Sequence, residues 1–157
     1  MNLMDINIKN AIALFQNGKL DEAQKKCEEI KKNDPLNLLN LNLFSIILFQ
    51  KKKFNESIQI IKESIKVNSN QAEAYNNLGI VYSEIKNFDK AINAFKCSIN
   101  INPQFIDALN NLGVSYKEIK KKDEAIECWN KVIDIDKNNA KAYNNIGSIL
   151  SDSEEFE

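Results

Sequence analysis

Residues Ala72 to Tyr82 read AEAYNNLGIVY, and this stretch decides the reading of the chain because it comes back. Residues 106–116 read IDALNNLGVSY and residues 140–150 read AKAYNNIGSIL. Tyr75, Leu109 and Tyr143 fall at one step of 34 (109 − 75 and 143 − 109), and Gly79, Gly113 and Gly147 keep it. A second block follows each complete copy: Ala91 with Phe95, then Ala125 with Trp129. Stepping back gives Leu41, Ser45, Leu48, Ser57 and Ile61, and before them Asn7, Ala11, Leu14, Ala23 and Cys27. The first two copies drift, but small residues stay small. Self-similarity at such a period marks a repeat architecture, in which one supersecondary unit stacks on the next.

Each copy contains two helical patterns. Tyr75, Leu78, Val81, Tyr82 and Ile85 carry the spacing of an amphipathic helix, helix A; Ala91, Ile92, Phe95 and Ile99 carry that of helix B. Lys86-Asn87-Phe88-Asp89 lies between them, with Asp89 placed to cap helix B. Asn102-Pro103 ends helix B, as Asn33-Asp34-Pro35 does in the first copy, because proline cannot continue the ladder; Gly18 makes the first turn.

Composition narrows the function. The chain has 157 residues, 43% of them apolar, with four Gly and two Pro, which fits a globular helical protein. Net charge is −1, so the molecule as a whole steers toward neither nucleic acid nor acidic membrane. All 21 basic residues are Lys, which removes the planar fork used for bidentate grips on carboxylate or phosphate. There is no His, hence no Ser-His-Asp or Cys-His arrangement. Cys27, Cys97 and Cys128 form no CxxC, so no metal site, no cofactor and no catalytic residue is expected. The start MNLMDINIKN lacks the pattern of a secretory signal, and the apolar run Phe44–Phe49 is too short to cross a bilayer. A cytoplasmic protein that is not an enzyme is the expectation.

Tyr75, Leu78, Gly79, Tyr82, Ala91, Phe95 and Pro103, then Leu109, Leu112, Gly113, Tyr116, Ala125 and Trp129, resemble the signature of the tetratricopeptide repeat (TPR) family. The resemblance implies an all-α fold, a right-handed solenoid of antiparallel helix pairs. It covers residues 4–157 as a single array: repeats at about 4–37, 38–71, 72–105 and 106–139, and a partial fifth at 140–157. The sequence departs from the family pattern at Leu41, Ser45 and Ser57. In the fifth copy Phe156 stands where helix B would begin, so Ile149 and Leu150 are expected to be partly uncovered.

The resemblance also implies that A helices line a concave groove. Asn76, Asn77 and Ile80 are then expected to face it, with Asn110, Asn111 and Val114, and Asn144, Asn145 and Ser148. An Asn side chain offers both a donor and an acceptor, which suits the main chain of an extended peptide. Asn77, Asn111 and Asn145 resemble the asparagine ladder of some TPR superhelices, and Asn76, Asn110 and Asn144 are second candidates. Lys9 and Leu43 interrupt the row in the first two copies. The alternative is that the asparagines pack between A helices. The carboxylate grip of chaperone co-factors fits less well: Lys141 and Asn111 match, but Asn76, Ile80 and Asn145 stand where its other polar or charged groups belong. Glu73 and Asp107 favour a basic ligand or simply offset the helix dipole.

Lys51–Lys53 and Lys120–Lys122 fall at the turns between helices A and B, with Lys19 and Lys86, as a solvated basic edge without the interleaved aromatics of a single-strand reader. Trp129 reads as core. The function expected is a protein-interaction scaffold or adaptor binding an extended segment of a partner protein, without nucleic acid or membrane. Two alternatives stand beside it. One is a substrate-selecting segment of a larger enzyme, such as a glycosyltransferase or sulfotransferase. The other is self-association through the C-terminal face, with Ile149, Leu150 and Phe156 docking on another copy.

Overall fold

In the computed structural model residues 3–154 are described, with the side chains of 6–151. The described residues form nine helices and no strand: α1 (Leu3–Gln16), α2 (Leu20–Asn33), α3 (Leu38–Gln50), α4 (Phe54–Val67), α5 (Ala72–Glu84), α6 (Phe88–Ile101), α7 (Ile106–Glu118), α8 (Lys122–Ile135) and α9 (Ala140–Glu154). The odd-numbered helices carry the A pattern and the even-numbered ones the B pattern. Two compact units divide the chain, residues 1–77 and 78–157. In the first, α1 packs on α2, α2 on α3 and α3 on α4; in the second, α6 packs on α7, α7 on α8 and α8 on α9. Phe156, the expected start of a fifth helix B, lies outside the described residues.

The turn from helix A to helix B is the same in every complete copy, for a backbone reason. Gly18, Lys52, Lys86 and Lys120 all have positive φ, at 73°, 58°, 58° and 62°. Each is the left-handed residue of a Schellman motif. The Gly18 N–H donates to Phe15 O and the Lys19 N–H to Leu14 O; the pairs Lys52→Phe49 and Lys53→Leu48, Lys86→Ser83 and Asn87→Tyr82, and Lys120→Lys117 and Lys121→Tyr116 repeat it at 2.8–3.0 Å. Only the first copy uses glycine, the residue that adopts this conformation without steric cost.

Asn87, not Asp89, caps the B helix of the third copy: its side chain accepts from the Lys90 N–H at 3.3 Å. Asp89 lies within the first turn, two positions too late to reach an unsatisfied N–H from outside the helix. Three of the four B helices, α4, α6 and α8, end on an Asx turn. Asn68, Asn102 and Asp136 have extended backbones, and their side chains accept from the N–H two residues on at 2.9, 3.2 and 3.1 Å.

The core pairs a small residue on helix A with a larger one on helix B. A Cβ built on Gly79 would lie 2.5 Å from the Phe95 ring, and one on Gly113 would lie 2.6 Å from Trp129. Glycine is needed at these two positions for close approach. The same register holds Ser45 with Ile61 and Ala11 with Cys27, all buried. Where the helix A residue grows, the helix B residue shrinks, which keeps the volume of the interface. Ser45 and Ser57, the polar departures in the second copy, form a direct link: Ser57 Oγ donates to Ser45 O at 2.8 Å.

Candidate peptide-binding face

The two asparagines of each pair have different environments. A step of one residue turns a helix by about 100°, so neighbours cannot share a face. Asn76 and Asn110 are buried among the packed helices, and the Asn110 Oδ1 has no hydrogen-bond partner among the described residues. Asn144, in the last copy, is exposed. Asn77, Asn111 and Asn145 are half-buried. The expectation that both residues of a pair face outward is therefore narrowed: in the third and fourth copies the first asparagine is a packing residue, and the second is the one at the surface. The Asn145 Nδ2 lacks an acceptor among the described residues.

In the second unit Asn111 borders a cleft of about 410 Å³ between the C-terminal half of α5 and α7. Ile80, Val114, Phe88 and Phe95 give it apolar walls, and Ser83, Ser115, Glu84 and Glu118 a polar border. Ser115 Oγ donates to Asn111 O at 2.9 Å and lies 3.3 Å from Ser83 Oγ. The cleft thus combines apolar walls with a polar border. Glu73 and Asp107 are exposed in the first turns of α5 and α7, and Lys141 is exposed in the first turn of α9.

In the first unit the corresponding surface is apolar. Helix α3 buries Leu41, Phe44, Ile47 and Leu48 on one side and still leaves Leu39 and Ile46 exposed on the other. In the sequence Ile12, Ile46, Ile80 and Val114 recur at the step of 34, three residues after the asparagine position. The polar pattern of the asparagines does not reveal Ile12 and Ile46, although both keep the same period.

Among the described residues no group of three or more His, Cys, Asp or Glu is placed to hold a metal ion. No helix among them is long and apolar enough to cross a membrane. Burial pushes the Cys27 thiol up to about 12 and the Cys128 thiol to about 11, so both are neutral packing groups, whereas Cys97 is exposed. Lys51 meets Asp21 at 2.5 Å and, by hydrogen bond and charge, lowers the Asp21 pKa. The lysines at the turns are thus partly engaged within the chain.

The Tetratricopeptide repeat signature matches residues 72–105 and 106–139. No curated protein matches the chain. Among solved structures, a crystal structure of MamA superposes with a TM-score of 0.85 at 27% identity, over 98% of this chain and 85% of that one. A MamA from Desulfovibrio magneticus RS-1 gives 0.80 at 19% identity, over 87% and 77%. PilF from Pseudomonas aeruginosa gives 0.85 at 17% identity, over 98% and 70%. The last two are similar in fold alone. The fold is an all-α helical solenoid, and residues 72–139 of the chain carry the tetratricopeptide repeat signature.

Proposed function

We propose that this chain is an interaction scaffold that holds an extended segment of a partner protein along its A helices. Asn77, Asn111 and Asn145 bond the partner's main chain, and Ile80 and Val114 take its apolar side chains. The observation that carries the reading is Asn111 at the border of the apolar-walled cleft. An amide there can donate to a carbonyl and accept from an N–H of the same peptide, largely regardless of its side chains. Asn77 and Asn145 occupy the same register in the neighbouring copies. Lys141 and the acidic pair Glu73 and Asp107 bias the direction and charge of the ligand. The array is taken as one domain over residues 4–157, working in the cytoplasm, where three unpaired cysteines remain reduced.

The test compares the wild-type chain with the triple variant Asn77→Ala, Asn111→Ala, Asn145→Ala. Each is used to capture partners from the source lysate, with mass spectrometry as the readout. Partners lost only from the variant, with helical circular dichroism retained, support the reading. A variant that loses its helical signal makes the asparagines structural and sinks it, as does an unchanged set of partners.

A further inference from the structure

We propose that the cleft between α5 and α7 selects partner segments by charge: it takes a lysine or arginine side chain, whose apolar stem lies in the cleft and whose cationic head meets Glu84 and Glu118. The inference deepens the proposed function and rests on it for the class of ligand, an extended segment of a protein. Its ground is the placement of the two carboxylates. Glu84 is the last residue of α5 and Glu118 the last of α7. They fall 34 positions apart (118 − 84), and the same register holds Gln16 and Gln50 in the first two copies. The C-terminal end of a helix carries partial negative charge, so an acidic side chain there is disfavoured, whereas Glu73 and Asp107 in the first turns of the same helices are favoured. Nothing within the chain offsets that cost. Both side chains are exposed, and neither makes an ion pair among the described residues. Helix electrostatics therefore does not account for this pair of carboxylates, and a cation supplied by a ligand does.

The rest of the border asks for the same chemistry, because it offers acceptors. Ser115 Oγ gives its proton to Asn111 O at 2.9 Å. Ser83 Oγ lies 3.3 Å from Ser115 Oγ, whose proton is already committed, so Ser83 is the donor of that contact. Both hydroxyl protons are used inside the chain, and what the two serines retain is acceptor capacity. Lys86 is the one cation among the described lining residues, against two carboxylates, and it pairs with neither. Lys117, the neighbour of Glu118, donates instead to Ser148 Oγ at 2.8 Å. The border is therefore net negative. The apolar walls, Ile80, Val114, Phe88 and Phe95, suit the methylene stem of lysine or arginine, which buries against apolar surface while its head stays at the polar edge. An acidic segment is repelled here, and a purely apolar one leaves both carboxylates without a counter-charge.

The probe is a library of random peptides displayed on phage and panned over the full chain, with the selected peptides synthesised and titrated by calorimetry. They are expected to share a Lys or Arg at one position. Replacing that residue by Met, which keeps the stem and removes the charge, is expected to weaken Kd about 10-fold, the scale of a hydrogen bond to a charged group. The double variant Glu84→Gln, Glu118→Gln is expected to bind the basic and the Met peptide equally, with its helical signal retained because both positions are exposed. Lys86→Gly removes the opposing charge from a residue already at positive φ and is expected to tighten binding of the basic peptide. The Asn77, Asn111, Asn145 alanine variant is expected to weaken both peptides alike and to keep the ratio between them. Equal Kd for the two peptides on the wild-type chain, with both weakened by the asparagine variant, would overturn the charge selection and leave the main-chain reading standing. An asparagine variant that binds both peptides as the wild type does, with the ratio kept, would sink the main-chain reading and leave the charge selection in place. Selected peptides without a common basic residue, no selection above background, or a ratio that survives the Glu84, Glu118 change would each overturn the proposal.

Discussion

Two glycines at one register should answer the same mutation with opposite signs. Gly→Ala inside a helix is normally worth up to about 1 kcal/mol of stability, because alanine has less backbone freedom to lose. At Gly147 the new methyl meets nothing within 4 Å, so the gain should appear in full. At Gly113 the methyl would sit 2.6 Å from Trp129 Nε1, 2.7 Å from Cε2 and 3.1 Å from Cδ1. The ring cannot retreat, since Trp129 is fully buried with Leu109, Ala125, Val132 and Ala142. Overpacking of a filled site costs about 1–3 kcal/mol. The propensity gain is common to both variants and cancels in the comparison, so Gly113→Ala should be less stable than Gly147→Ala by about 1–3 kcal/mol. Urea unfolding followed by circular dichroism measures the difference. Trp129→Leu supplies the control: with the ring gone, Gly113→Ala should become neutral or stabilising. Equal shifts for the two glycine variants would refute the argument that ring packing, and not turn or helix propensity, fixes these glycines.

Further outcomes follow from the same structure. Lys86→Gly and Lys120→Gly relieve a left-handed backbone that costs a non-glycine residue roughly 1–2 kcal/mol, partly offset by the freedom of glycine in the unfolded chain. Each should raise the urea midpoint, and a fall would mean that the lysine side chains hold the turns. With a thiol reagent at mildly alkaline pH, Cys97 should react in the folded chain, and Cys27 and Cys128 only after unfolding; fast labelling of all three would contradict their burial. Burial raises the folded-state thiol pKa of Cys27 and Cys128 above the usual thiol value of 9.0. Their contribution to stability is therefore complete below about pH 9 and is lost as pH rises toward about 11–12. Denaturant midpoints between pH 8 and 11 should decline, and less steeply for Cys27→Ala, because alanine has no proton to lose.

The repeat, the helix pairing and the core were legible because period and apolar spacing are properties of the chain. Gly79, Gly113, Phe95 and Trp129 stood out as positions of the repeat signature, and the structure pairs Gly79 with Phe95 and Gly113 with Trp129. The N-cap of α6 went to Asn87 because cap assignment depends on where the preceding turn ends, and three lysines in a left-handed conformation hid that turn. The asparagine pair was only half legible. Period shows that two asparagines recur, but the roughly 100° between neighbours gives them different surroundings, and only packing reveals that Asn76 and Asn110 are buried while Asn144 is not. Ile80 and Val114 were legible beside the asparagines, whereas the exposed Leu39 and Ile46 on α3 were not, because apolar residues read by default as core.

The central claim is that the second asparagine of each pair holds a partner's main chain. Calorimetric titration tests it most directly, with a segment of a captured partner titrated into the wild-type chain and into the Asn77, Asn111, Asn145 alanine variant. Three lost hydrogen bonds at about 0.5–1.5 kcal/mol each correspond to a roughly ten- to thousandfold weaker Kd, and that loss is what the account predicts. An unchanged Kd in a folded variant would contradict it.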